Sequence, residues 1–175
     1  CGQVDIAYDL YAGAFELYDE HAATAKVQLK MLTSMIASLC ALRGMPEETY
    51  DTLATKLCQY SSKVVQKPDQ CRMVMQCSHL FWKKILSDAY HKKAMECMQR
   101  SLKIADNCPA GHQFGLFVEA LNHYMYYYSA QMPRATAKSV QALIVMCNEA
   151  SSGAEDKAAD MYTAAKKYYG LTKAL

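Results

Sequence analysis

The sequence predicts an all-α protein, a right-handed α-solenoid of about four HEAT-like helical hairpins forming a single domain over residues 1–175. Three observations predict it. Apolar residues recur at steps of three and four, which lines one face of a helix rather than alternating as a strand does. Four prolines, Pro46, Pro68, Pro109 and Pro133, each stand where such a stretch restarts. The interval between Pro68 and Pro109 is long enough for two helices, close to the roughly 40–47-residue unit of HEAT and armadillo arrays. The tetratricopeptide alternative would need a 34-residue unit and a W-x-x-L-G signature, and neither is present.

Eight helices are expected, at 4–20, 24–43, 46–65, 68–86, 89–106, 109–130, 133–149 and 154–169, with ends good to about 2–4 residues. In the first, Val4, Tyr8, Tyr11, Phe15 and Tyr18 form the stripe, and His21–Thr24 is a short connection. Gly44 suits the end of the second helix, where a left-handed residue closes the last turn. Proline is tolerated in the first turn of a helix, whose N–H groups have no internal partner. It also pushes the preceding residue out of the helical region. Pro46 therefore opens the third helix, striped by Leu53, Leu57, Tyr60 and Val64, and Pro68 opens the fourth. Ser87-Asp88 starts the fifth. Pro109 opens the sixth, with Phe114, Val118, Leu121, Met125 and Tyr128 in phase, and Pro133 the seventh. Ser151-Ser152-Gly153 is the last turn. Similar helices with short connections fold as antiparallel hairpins.

Composition narrows the function. With 52% hydrophobic and 21% charged residues the chain is no disordered tail. A net charge of +2 and scattered basic pairs, Lys83-Lys84, Lys92-Lys93 and Lys166-Lys167, give no nucleic-acid footprint. No apolar run reaches the length of a membrane span, so direct membrane insertion is not expected. The first residues lack the pattern of a signal peptide. The chain starts at Cys1 without Met, and the expectation is a piece of a longer protein. The eight cysteines, Cys1, Cys40, Cys58, Cys71, Cys77, Cys97, Cys108 and Cys147, form no C-x-x-C pair and lie among Leu, Met and Val. That pattern fits reduced thiols serving as small core residues in the cytosol.

No catalytic motif is present: no H-E-x-x-H, G-x-S-x-G, P-loop or G-x-G-x-x-G. Cys71, Cys77 and His79 do not make a metal set, because residues 77 and 79 point about 200° apart on a helix. Cys97 with His91, or Cys108 with His112, lack an orienting third group. No cofactor is expected, and the chain is not expected to be an enzyme.

The fourth helix is the most informative. Cys71, Val74, Ser78, Phe81 and Ile85 make one stripe, and Met75, His79, Trp82 and Leu86 a second beside it. The face is wider than a simple amphipathic helix needs. Burial between neighbouring repeats is one explanation; contact of the second stripe with another protein, with Arg72 near its edge, is the other. In the sixth helix Tyr124, Tyr126, Tyr127 and Tyr128 cannot all face one core, since successive residues turn by about 100°.

Lys67-Pro68-Asp69-Gln70-Cys71-Arg72 and Cys77-Ser78-His79-Leu80-Phe81-Trp82 closely resemble the C-terminal part of the retromer large subunit family, vacuolar protein sorting-associated protein 35. Phe15-Glu16-Leu17-Tyr18, Lys26-Val27-Gln28-Leu29, Met95-Glu96-Cys97, Lys103-Ile104-Ala105, Leu116-Phe117-Val118-Glu119 and Leu121-Asn122 extend the resemblance over most of the chain. The resemblance implies an α-solenoid scaffold of the endosomal cargo-sorting coat. Such a scaffold is cytoplasmic and peripheral on endosomal membranes, and it supports endosome-to-Golgi or endosome-to-plasma-membrane transport. It also implies a partner, the small subunit vacuolar protein sorting-associated protein 29, which has a metallophosphoesterase fold and whose metal-pocket side the solenoid covers. Arg72, Met75, His79, Trp82 and Leu86 are then the partner-binding candidates. The family's self-association contact pairs an acidic loop with a basic helix end. Here Asp19, Glu20, Lys63 and Lys67 remain, while His21, Thr24 and Gln66 stand where charges would, so at most a weak homodimer is expected. Two other readings compete. A helical-repeat peptide adaptor would need a basic clamp in its groove, and a helical enzyme would need facing titratable groups.

Overall fold

A computed structural model describes residues 2–82, 87–151 and 156–173. Among them are eight α-helices and one short 3-10 segment, with no strand. They are α1 (Gly2–His21), α2 (Ala25–Ala41), α3 (Glu47–Ser61), α4 (Lys67–Cys77), α5 (Asp88–Asp106), α6 (Ala110–Ser129), α7 (Ala137–Ala150) and α8 (Asp156–Lys173), with the 3-10 turn at Ser78–Phe81. They form four consecutive antiparallel hairpins.

Local chemistry sets most boundaries. Thr24 caps α2, its hydroxyl accepting from the Val27 N–H at 3.4 Å, and Thr136 caps α7 by accepting from Ser139 at 3.2 Å. Pro46 and Pro109 precede α3 and α6, and Pro68 lies in the first turn of α4. Gly44 takes φ 75° in the connection after α2, a left-handed conformation that costs glycine nothing. Ser87 precedes α5.

Two expected boundaries move. Pro133 opens no helix. The Met132 N–H donates to the Tyr127 carbonyl at 2.9 Å, Gln131 turns at φ 58°, and α7 waits for the cap at Thr136. The fourth helix does not run to residue 86. It tightens after Cys77, because the Ser78 hydroxyl donates back to the Met75 carbonyl at 2.5 Å, a bond that competes with the regular ladder. The Tyr50 hydroxyl from α3 then donates to the Leu80 carbonyl at 2.8 Å. Trp82 leaves with φ −93° and ψ 90°. The two stripes drawn on a continuous helix therefore hold only as far as Cys77.

The hairpins stack as a solenoid with two unequal sides. The backbones of α2, α4, α6 and α8 touch in series. Among the described residues no comparable backbone contact joins α1 to α3, α3 to α5 or α5 to α7. Those outer helices reach one another through long side chains: Tyr60 to Asp19 at 2.6 Å, and Lys93 to Asp51 at 2.6 Å. A row packed closer on one side curves toward that side, so the even-numbered helices form the inner, concave face. Between the layers runs one apolar core in which Leu32, Leu57, Met75, Leu80, Met98, Leu116, Leu121 and Tyr127 are fully buried. None of the seven described cysteines is disulfide-bonded; Cys71, Cys77, Cys108 and Cys147 are buried, and Cys40, Cys58 and Cys97 half-buried. Burial raises the Cys71 and Cys147 thiols to about 12, which keeps them protonated and inert.

Candidate protein-binding face

The residues singled out on the fourth helix separate into different environments. Met75 is completely buried and belongs to the core, so it underlies the inner surface and cannot touch a partner docked on this fold. Arg72, His79 and Trp82 are half-buried and reach the surface. Leu86 lies outside the described residues.

All three surface residues sit where α4 meets α6. The Arg72 guanidinium pairs with Glu119, its Nε 3.0 Å from both carboxylate oxygens and a terminal nitrogen 3.0 Å from one. Such a forked pair fixes both side chains. Further along the same seam, His79 Nε2 and His123 Nδ1 share a hydrogen bond at 2.8 Å. Burial holds both imidazoles below their ordinary pKa, and His123, which also feels His79, falls to about 4. Both rings are therefore neutral near pH 7, one donating and the other accepting. His79 also packs against Tyr126 and Tyr127, with ring centres 5.5 and 5.3 Å away. Trp82 leans on Tyr127 at 6.1 Å and on His91 at 5.2 Å.

Tyrosine in α6 resolves as the geometry requires. Tyr124 and Tyr127 are buried and Tyr128 half-buried, while Tyr126 is 50% exposed on the inner crest of the helix. Tyr127 keeps its hydroxyl satisfied through a 2.5 Å hydrogen bond with Ser78. Since Ser78 already donates its proton to Met75, Tyr127 is the donor here. Tyr126 lies beside the 3-10 turn, its ring centre 5.5 Å from that of His79, and stays half exposed. Beyond Tyr126 a groove of about 450 Å³ opens between α6 and α8, lined by Asn122, Met125, Tyr126, Ser129, Met161, Ala164, Ala165 and Tyr168. This face carries no group of three or more metal-ligating side chains among the described residues. At the seam Arg72 pairs with Glu119, His79 with His123 and Tyr127 with Ser78.

The protein-family description "Vacuolar protein sorting-associated protein 35" matches residues 1–150. The chain belongs to the vacuolar protein sorting-associated protein 35 family. Protein 35A of Arabidopsis thaliana is 34% identical over 94% of this chain, which spans 22% of that relative. The Schizosaccharomyces pombe protein 35 is 36% identical over 80% of the chain, spanning 18% of that relative. The chain thus corresponds to about a fifth of the family members it matches.

The family resemblance also named Asp19, Glu20, Lys63 and Lys67, and all four are exposed. Asp19 and Lys63 meet at one corner, around the Tyr60 ring. Asp19 accepts the Tyr60 hydroxyl at 2.6 Å, and the Lys63 ammonium stands 5.6 Å from the centre of the Tyr60 ring. The Asp19 carboxylate pushes the Tyr60 hydroxyl up to about 12. Lys67 donates to Gln70 at 3.1 Å. Glu119 and His123 were not marked as site residues by the sequence pattern, and Tyr126 was marked only as one of four tyrosines that could not all be buried. Their spacing of four and three on one helix face was the available signal.

Proposed function

We propose that the chain is a non-catalytic scaffold section of the retromer cargo-sorting complex, and that its inner face binds the small metallophosphoesterase-fold subunit. The observation that carries this is the α4–α6 seam. Trp82, His79 and Tyr126 are grouped around the buried Tyr127 ring as an uncharged aromatic cluster on the concave side, with Arg72 held near it by Glu119. Aromatic residues and arginine are the usual anchors of protein interfaces. Membership of the family supports this reading of the partner and of the setting, a cytoplasmic coat peripheral to endosomal membranes that returns cargo to the Golgi or the plasma membrane. No helix among the described residues is long and apolar enough to cross a membrane, which agrees with a peripheral role. The adaptor reading is less supported, since the inner-face arginine is already committed to a carboxylate.

The test is one substitution read in two ways. His79→Arg places a fixed charge against Tyr126 and Tyr127, where a neutral ring now sits. The variant is expected to lose some thermal stability, since His123 loses its partner, and, at a temperature where both proteins are folded, to bind the purified small subunit at least tenfold more weakly, a change of about 1.4 kcal/mol or more. A stable variant with unchanged affinity removes His79 from the interface.

A further inference from the structure

We propose that the His79–His123 pair is a proton-operated latch on the joint between the second and third hairpins, closed while the rings are neutral and released when both carry an added proton. The geometry is end-on. His79 Nε2 and His123 Nδ1 stand 2.8 Å apart, and the ring centres 4.9 Å. The two nitrogens therefore face one another with room for a single hydrogen between them. A first added proton leaves the bridge intact, since an imidazolium donates to the ring that is still neutral. A second proton sets N–H against N–H and positive charge against positive charge, and the bridge must break.

Nothing around the pair takes up that charge. Arg72 of α4 and Glu119 of α6, about one turn before His123, are already bound to each other. From α6, Tyr126 and Tyr127 offer only their rings to His79. The thiols of Cys40 on α2 and Cys97 on α5 lie near Tyr127. From α5, His91 packs across Trp82 with 5.2 Å between ring centres, and its Nε2 is buried without a hydrogen-bond partner. From α8, Tyr168 stands in the groove beside Tyr126. Among the described residues neither imidazole of the pair has a carboxylate within ion-pair distance. Burial holds both rings below their ordinary pKa, so the closed seam excludes protons that an opened one accepts.

The pair is placed where it can act on shape. On the inner side the backbones of α4 and α6 touch at this seam. On the outer side α3 and α5 are joined by a long side chain, Lys93 to Asp51. The backbone of α4 also packs along α5, and that contact keeps the two hairpins together when the seam parts. Double protonation then swings the later turns of α6 away from the 3-10 turn, about the α4–α5 contact and the Arg72–Glu119 pair. The concave face straightens at one joint while the helices stay intact. Because opening takes up two protons, it is steep. With ordinary values of about 6.5 in the open form, the ratio of open to closed rises up to about a hundredfold between pH 7.5 and pH 5.5.

The experiment is small-angle scattering of the full chain from pH 7.5 to pH 5, with far-UV circular dichroism on the same samples, for wild type and His123→Gln. The glutamine amide can still bridge to His79 but takes up no proton. The radius of gyration of wild type is expected to grow as pH falls, with helicity unchanged, while His123→Gln keeps its neutral-pH radius. A wild-type radius that stays constant to pH 5 overturns the latch. So does equal growth in His123→Gln, which would assign the change to His91 or to another site, and so does growth that comes only with loss of helicity. If His123→Gln does not fold, nitrogen-15 spectra of the wild-type histidines decide. Both rings of the pair must become doubly protonated over the pH interval in which the radius grows, and titration of either one outside that interval overturns the proposal.

Discussion

Two places where hairpins meet are built from opposite chemistry. At the α4–α6 seam, rings and imidazoles are packed together and their polar atoms bond one another inside the fold: His79 with His123, Tyr127 with Ser78. At the α1–α3 corner, Tyr60 stacks on Phe15 and Tyr18, but the charged groups around it, Asp19, Glu20 and Lys63, stand in water. The seam is sensitive to shape and to proton binding, because its groups have exchanged water for fixed partners. The corner is sensitive to salt and tolerant of substitution, because exposed pairs contribute about 0–1 kcal/mol. A surface that must recognise one partner is better made from the first chemistry than from the second.

The largest expected effect separates core from surface within the seam. Met75→Ala opens a cavity under the inner face and should cost about 2–5 kcal/mol of stability. Trp82 is half-buried beside the edge of the described segment, and Trp82→Ala should cost less stability but more affinity for the small subunit. Urea unfolding of both variants, paired with binding at a temperature where both are folded, checks this. If Met75→Ala weakens binding without losing stability, Met75 is not the core residue its burial indicates.

That contrast shows what could be read in advance. Helix phase, the connection at His21–Thr24, and the starts at Ser87, Pro46, Pro68 and Pro109 follow from rules acting within a turn or two of each residue. The 3-10 turn at Ser78–Phe81 does not. It depends on Tyr50 reaching Leu80 from thirty residues away, and on Tyr127 reaching Ser78 from forty-nine. Pro133 fails as a helix start for a similar reason, since the carbonyl of Tyr127 captures Met132 first. His79 and Trp82 were legible as an excess of apolar face. Tyr126 was legible only as one of four tyrosines that could not all be buried. Which face is concave depends on the relative spacing of whole helices, and no local pattern records it.

A middle-sized effect comes from pH. The folded-state pKa of His123 is depressed to about 4, and that of His79 is lowered too, by burial. Above the ordinary value of about 6.5 both rings are neutral, folded or unfolded, and pH has no leverage through them. As pH falls below 6.5 the unfolded chain takes up protons that the folded seam excludes. Stability is therefore lost from about pH 6.5 down toward pH 4. For His123 the full loss at the acid end is of the order of 3 kcal/mol, at about 1.4 kcal/mol per unit. Urea midpoints between pH 7.5 and pH 5 should fall in wild type and fall less in His123→Gln. Parallel curves would mean that His123 is protonated as readily in the fold as in water.

The smallest effect belongs to the corner, and it concerns self-association. Asp19 already accepts a hydrogen bond from Tyr60, and Lys63 already lies over the same ring. Neither is idle, and a second copy would have to offer more than the contact it displaces. What it could offer is an exposed ion pair, and the positions that would multiply such pairs carry His21, Thr24 and Gln66 instead. The chain should therefore sediment as a monomer at micromolar concentration in ordinary salt. Tyr60→Phe removes the hydroxyl, frees the Asp19 carboxylate and should cost stability by no more than about 1 kcal/mol. If a self-association contact through this corner is latent, this variant should associate more than wild type does at low ionic strength, and 0.5 M salt should abolish the difference, since screening is then within about 5 Å. A dimer of wild type that persists in high salt would show that two copies meet through apolar surface elsewhere, and the corner would then have no part in it.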